Sequence, residues 1–344
     1  MPSEKEKDVT IYDLARELNL SAATISRGLQ DNPAVNEKTR QRIQALAELR
    51  GFRINNFARN LRQNKTHTIG VMMHEINTSF MVSVLAGIEE AIAKSDYNIL
   101  VAHSAEHVQT EIINAKNLFN RRVDGIIASL SLETSNLDHF EGFFRKGIPV
   151  VFFDRVEEQN PGAKVIIDNY ACGYQITSHL ISQGCTSIVH LTNSLNRNVY
   201  KRRFDGYVAA LGDAGIGFKE ENLIVCGMNK AEAEKAAHTI LNMNPRPDGL
   251  FVSGDLAAAI CIKVFQKNGL KVPHDIAVAG FNNDIISTII EPNLTTVNYS
   301  GITMGNLAGK LLLDHFTGVQ DIGLTNTVIM NAELIVRESS KRSP

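Results

Sequence analysis

Thr10-Ile-Tyr-Asp-Leu-Ala-Arg-Glu-Leu-Asn-Leu-Ser-Ala-Ala-Thr-Ile-Ser-Arg-Gly-Leu29 decides the reading of this chain, because it spells two short helices joined by a tight turn. Thr10 is a good N-cap, and Asp13 three residues on favours the first helical turn. Ile11, Leu14, Ala15 and Leu18 then fall at i, i+3, i+4 and i+7, one apolar face. Asn19 tolerates the left-handed conformation that a tight turn needs, and Leu20 can plug the turn. Ser21 caps a second helix over 22–29 whose inner face is Ile25 and Leu29. Asp31-Asn-Pro33 breaks it, and a third helix runs over about 37–50 with Ile43, Leu46, Ala47 and Leu49 apolar, stopped by Gly51. Two helices this close, with small Ala15 where they cross, predict a helix-turn-helix. The second helix then presents Ala22, Ala23, Ser26 and Arg27 near the end that enters a major groove. Hydroxyls and a guanidinium suit phosphates and a guanine edge, whereas Ala can only touch a thymine methyl. A three-helix bundle used for protein contacts carries the same periodicity.

Charge adds a second signal. Of 35 Lys+Arg and 37 Asp+Glu in 344 residues, 12 and 8 lie in residues 1–65, a local balance of +4 that leaves −6 for the rest of a chain whose net charge is −2. A basic head on an acidic body points to a polyanion as the partner of the head, although a solvated face would show the same excess.

The residues themselves narrow the choice. Val9-Thr-Ile-Tyr-Asp-Leu-Ala-Arg16, Leu20-Ser-Ala-Ala-Thr-Ile-Ser-Arg27 and Val35-Asn-Glu-Lys-Thr-Arg40 closely resemble the head of the LacI/GalR family of regulators. The resemblance implies that Tyr12, Ser21, Thr24, Ser26 and Arg27 hold DNA, and that Ala22 and Ala23 stand where the family reads operator sequence. Asn19 departs from the Gly common at that turn. Residues 52–66 follow as a linker. Asn55-Asn-Phe-Ala-Arg-Asn-Leu-Arg62 is too short for a stable lone helix, yet it resembles the family's hinge helix, which folds when a dimer grips its operator. On that match Leu61 is the wedge in the minor groove, with Asn55 and Ala58 beside it. Ile54 replaces the Pro often found before this helix.

From Thr68 onward apolar strands and helices alternate. Strands are predicted at 69–73, 99–102, 125–128 and 150–153, with helices over about 80–94 and 107–120. A second set is predicted at 165–167, 188–191, 223–225, 249–252 and 276–279. Such alternation means parallel sheets covered on both faces, and about ten strands suit two lobes better than one twisted sheet. Ligands of doubly wound sheets bind beyond the carboxyl ends of the strands. There the sequence offers His74, Phe80, Asp154-Arg155, Asn193, Gly254-Asp255 and Phe281-Asn-Asn283, amides and charges that suit a polyhydroxylated ligand or that merely cap helices. Ile148-Pro-Val-Val-Phe-Phe-Asp-Arg155, Arg203-Phe-Asp-Gly-Tyr207, Val272-Pro-His-Asp-Ile-Ala-Val-Ala-Gly-Phe281 and Leu294-Thr-Thr-Val297 extend the family resemblance over the body. It implies a periplasmic-sugar-binding-protein-like module with Arg203 as the effector anchor, and Phe80, Asp154, Arg155, Asp255 and Asn282 as further effector contacts. Gly254 and Asn282 depart from the usual Asn and Asp, and Ser79-Phe-Met81 from the usual Pro-Phe-Phe.

The expected fold is therefore α/β: a three-helix head (1–51), a hinge (52–66) and a body (67–344) of two doubly wound lobes. The N-terminal lobe is expected over about 67–164 and 296–326, the C-terminal lobe over about 165–295 and 327–344. The expected function is transcription regulation, in the family's commoner mode repression. A cytoplasmic homodimer would sit on a pseudo-palindromic double-stranded DNA operator, under control of a sugar or sugar derivative bound between the lobes. No cofactor is expected, since neither GxGxxG nor a Walker A loop is present. No metal site is expected either: His103 and His107 straddle a strand-to-helix loop, and Cys172, Cys185, Cys226 and Cys261 are scattered. The N-terminus has no apolar signal region and no run is long enough to span a membrane. A solute-binding protein of a transporter is the first alternative, opposed by residues 1–62. An enzyme with its site between the lobes is the second, opposed by the lack of a catalytic constellation such as GxSxG.

Overall fold

The computed structural model describes residues 9–52, 65–159, 161–323 and 327–342. The chain divides into two units, residues 1–65 and 66–344. In the first, α1 (Ile11–Leu18), α2 (Ala22–Leu29) and α3 (Glu37–Leu49) form a bundle. Leu14, Ala15, Ile25, Val35, Ile43, Leu46 and Ala47 make its core. Local chemistry sets every junction. Thr10 and Asp13 form a reciprocal capping box, Asn19 closes α1 in the left-handed conformation, and Ser21 and Asn36 cap α2 and α3 by accepting from Thr24 N and Thr39 N. Leu49, expected on the apolar face, is exposed, and Phe52 packs against the bundle instead.

The second unit holds two sheets of the same winding. In the N-terminal lobe, β1 (Thr68–Met73), β2 (Asn98–His103), β3 (Gly125–Ala128), β4 (Val150–Phe153), β5 (Ala163–Ile167) and β11 (Thr327–Met330) run in the order β11-β5-β4-β3-β1-β2. In the C-terminal lobe, β6 (Ile188–Thr192), β7 (Leu223–Val225), β8 (Gly249–Val252) and β9 (Ala277–Ala279) run in the order β7-β6-β8-β9. All pairings within these two sheets are parallel. A two-stranded antiparallel ladder of β10 (Thr296–Asn298) and β12 (Glu333–Ile335) completes the strands of the described residues.

Strand pairing corrects the expected lobe boundaries. Residues 165–167 were assigned to the second lobe, but β5 pairs with β4, and β11 pairs with β5. Both strands therefore belong to the first sheet. An apolar run such as Val165-Ile-Ile167 is equally stable against either sheet, so its own sequence does not choose the partner. The chain crosses between lobes three times: after Ile167, at β10, and between β11 and β12.

The helices that matter for the site are α4 (Ser79–Ile92), α5 (Val108–Asn120), α6 (Glu141–Arg145), α7 (Asn169–Ser182), α8 (Asn198–Asp213), α9 (Lys230–Leu241), α10 (Asp255–Lys267), α11 (Ile286–Ile289) and α12 (Gly301–Phe316). α7 and α8 cross at glycines. A Cβ on Gly173 would stand 2.1 Å from the Arg203 carbonyl oxygen, and one on Gly206 would stand 2.1 Å from that of Tyr170. Only a residue without a side chain permits that approach, and the approach fixes the height of Arg203 on its helix.

Candidate DNA-binding face and effector cleft

On the head, Tyr12 is 69% exposed. Ser21, Ala23 and Arg27 are exposed, and Ala22, Thr24 and Ser26 are half-buried. Ala22 also packs against the bundle core. The Ser21 and Thr24 hydroxyls bond each other at 2.8 Å, so both sit at the N-terminus of α2. Exposed or half-buried hydroxyls and a guanidinium thus lie along α2, side-chain types that suit phosphate oxygens. Asn55, Ala58 and Leu61 lie outside the described residues.

In the body, the carboxyl ends of the strands face a junction between the lobes. The two sheets end alike at their switch points. His74 Nδ1 meets Ser129 Oγ at 2.8 Å after β1 and β3, and Ser253 Oγ donates to Thr192 Oγ1 at 2.9 Å at the ends of β8 and β6. Burial, then the nearby Arg155 and His103, push the His74 pKa well below its ordinary value, so its ring is neutral.

Arg203 is buried. Its Nε donates to Asn169 Oδ1 at 2.8 Å, and its guanidinium carbon stands 3.4 Å from the Phe281 ring centroid. Arg155 donates through Nη1 to both oxygens of Glu106 and through Nη2 to the Tyr200 hydroxyl at 3.1 Å. The Tyr200 ring lies between the two arginines, 5.4 Å from one guanidinium carbon and 5.8 Å from the other. Asp154 adopts φ 55 and is buried. Burial raises its carboxyl pKa, and Arg155 and Arg203 oppose that rise. Phe80 packs on Tyr299 with ring centroids 4.8 Å apart, and the Tyr299 hydroxyl donates to Asn282 Oδ1 at 3.2 Å. The structure thus brings Phe80, Asp154, Arg155, Arg203 and Asn282 into one junction.

Asp255 is committed elsewhere. Its Oδ1 accepts from Thr296 Oγ1 at 2.7 Å and its Oδ2 from Asp284 N at 2.8 Å, so it ties α10 to the crossing strand β10. Burial raises its pKa to about 7 against those two hydrogen bonds.

Several residues that the sequence reading passed over also meet here. Tyr200, Asn169 and Tyr299 are three. The fourth is Arg197, which is buried and donates through Nη2 to the Thr134 carbonyl oxygen, across the lobe junction. Burial lowers its pKa. Asn198 bridges the lobes twice, accepting from Val156 N at 2.9 Å and donating to Asp154 O at 3.1 Å. Arg202 pairs with Glu158 at 2.8 Å. The only hint in sequence was the density of Arg and Asn in 196–203, which exposed helix ends also show.

Among the described residues, no group of three or more His, Cys, Asp or Glu could hold a metal ion, and no helix is long and apolar enough to cross a membrane. His103 and His107 face different acids, Glu75 at 3.7 Å and Glu133 at 3.5 Å. Burial raises the pKa of all four thiols, so none is a ready nucleophile.

A capped helix-turn-helix in one chain with a doubly wound, two-lobed module defines a class, the DNA-binding regulator with a built-in ligand domain. Residues 66–319 match the family described as periplasmic binding proteins and sugar binding domain of LacI family. Residues 10–55 match that of bacterial regulatory proteins, lacI family. Catabolite control protein A of Priestia megaterium is 31% identical over 306 residues, 89% of this chain and 92% of that protein. The HTH-type transcriptional regulator RegA of Clostridium saccharobutylicum is 31% identical over 334 residues, 96% of this chain and 99% of that protein. The solved lac repressor dimer, bound to operator and the anti-inducer ONPF, shares the fold with a TM-score of 0.84 at 22% identity, over 97% of this chain and 99% of that one. The chain belongs to the LacI family of bacterial transcriptional regulators.

Proposed function

We propose that this regulator is a cytoplasmic, homodimeric repressor, not an enzyme, whose hold on a pseudo-palindromic operator is set by a sugar or sugar derivative bound between its lobes. One observation carries the reading. Residues 197–203 at the start of α8 reach across the lobe junction to residues 134, 154–156 and 158, so the angle between the lobes is written in a few exchangeable hydrogen bonds. A ligand that prefers one angle shifts that equilibrium by its differential affinity alone. Arg203, Asn282 and Asp154 supply the donors and acceptors a polyol needs, and Phe80 supplies an apolar wall. In the head, Tyr12, Ser21, Ala22, Ala23, Thr24, Ser26 and Arg27 are the DNA-facing set, extended by Asn55, Ala58 and Leu61 of the hinge.

Exposed apolar side chains support pairing through the body. Val82 and Ile113 on the N-terminal lobe, and Leu256, Ile285 and Ile289 on the C-terminal lobe, each leave more than half of their surface in solvent. The test is selection of duplexes from a random pool, followed by light scattering of the complex. Two chains on an inverted repeat support the reading. A single chain on an asymmetric site, or no duplex retained, contradicts it.

A further inference from the structure

The three buried arginines of the lobe junction, Arg155, Arg197 and Arg203, are not equivalent. Arg155 is neutralised by both oxygens of Glu106. Arg203 lies beside Asp154, stacks on Phe281 and donates to Asn169. Arg197 has no such partner. It is only 3% exposed, yet its Nε and Nη1 make no hydrogen bond. The acids whose charge it feels are Glu157 and Glu111. Glu111 is occupied by Ser131 N, the Thr134 hydroxyl and His139 Nε2, at 2.7, 2.8 and 2.9 Å. No ion pair within 4.0 Å joins Arg197 to either acid among the described residues. A buried guanidinium with open donors is costly unless something neutralises it.

Arg197 also stands at the N-cap of α8, where no side chain caps the helix and no acid lies in the first turn. The other long helices of the body differ. α4, α7, α9 and α12 are capped by Thr78, Asp168, Asn229 and Ser300. α5 and α10 carry Glu111 and Asp255 in their first turns. The amide end of a helix carries a positive potential that favours anions. Two independent features, an uncapped helix terminus and a buried cation with open donors, therefore coincide at the junction where the lobes meet.

We propose that Arg197 and the N-terminus of α8 form an anion subsite, and that the effector carries a carboxylate or a phosphate group seated there. The inference rests on the reading of the lobe junction as the effector site. Arg203 and Asn282 then take the hydroxyls, while the anion supplies the counter-charge that Arg197 lacks.

The test is thermal unfolding of the full-length protein, at constant ionic strength, with D-gluconate, D-glucose 6-phosphate, inorganic phosphate or D-glucose. The wild type, Arg197→Gln and Arg203→Gln are compared. The expected result is a rise of about 2 °C or more with at least one anionic probe in large excess over its Kd and none with glucose. Arg197→Gln should weaken that response at least about tenfold, the cost of losing one charge-assisted contact. A response to gluconate alone identifies a carboxylate as the source of the charge, and one to both phosphates identifies a phosphate. Three results overturn the proposal: no response to any anionic probe, an equal response to glucose, or an Arg197→Gln protein that responds like the wild type. A glucose response lost in Arg203→Gln would overturn the anion subsite while leaving the effector-controlled regulator intact. Loss of that reading itself would appear in the operator selection, which does not depend on these probes.

Discussion

The head and the lobe junction carry the same kinds of side chain to opposite ends. On the head, Tyr12, Ala23 and Arg27 stand in solvent and their partner must come from outside, whereas Ser21, also exposed, already caps α2. At the junction, Arg155, Arg197 and Arg203 are buried; Arg155 and Arg203 are paired within the chain, whereas Arg197 keeps open donors. Polar groups in water are cheap to hold ready, whereas buried ones must be paired or unfold the site. The comparison teaches that substitution of an exposed head side chain that caps no helix, such as Arg27, should change binding without stability, and substitutions at the junction should change stability first.

The largest effect is expected beneath the junction. Gly173→Ala places a methyl group 2.1 Å from the Arg203 carbonyl oxygen and should lower unfolding stability by about 3 kcal/mol, read by urea denaturation. On the head, Arg27→Ala should weaken operator binding by about 1–3 kcal/mol, about fivefold or more by fluorescence anisotropy, with an unchanged melting temperature. A parallel loss of stability would erase the contrast between the two regions.

Asp255 sharpens it further. Its folded pKa of about 7 lies above the ordinary 3.8. Below pH 4 both states are protonated and the group has no effect. Between pH 4 and 7 the unfolded chain ionises while the folded one keeps its proton, so stability falls as pH rises through that window and levels off above it. Asp255→Asn should flatten that fall, since an amide can still serve both Thr296 and Asp284 N. An unchanged pH slope in the urea midpoint would show that another group sets it. Ser21→Ala removes the cap of α2 and should cost the head about 1 kcal/mol. Arg202→Ala, which breaks a half-exposed ion pair between the lobes, should cost less than about 1 kcal/mol.

The same contrast explains what could be read from the sequence. Thr10, Asn19 and Ser21 act within three or four residues of themselves, so the head could be read from spacing. The strands from β1 to β4 and from β6 to β9 were legible as apolar runs. β5 and β11 were misplaced because their sheet is chosen by partners far along the chain. Family motifs singled out Arg203, Asp154 and Phe80, which the fold brings to the lobe junction. Asp255 was read as a ligand contact because nothing local shows that Thr296 claims it, 41 residues on. Arg197 was missed because its mark is a lack of partners, which only the packed lobes reveal. Leu49 was placed inward by periodicity, but Phe52 covers that end of the bundle.

The central claim is that the exposed face of the head holds DNA. Its most direct test is the affinity of the full-length protein for its selected operator between about 50 and 200 mM salt. Six or more phosphate contacts from a dimer would lower affinity by about three orders of magnitude or more over that range. The account predicts that steep, linear log–log fall, and a reduced affinity for Arg27→Ala at every salt concentration. An affinity that barely changes with salt, or an Arg27→Ala protein that binds like the wild type, would contradict it.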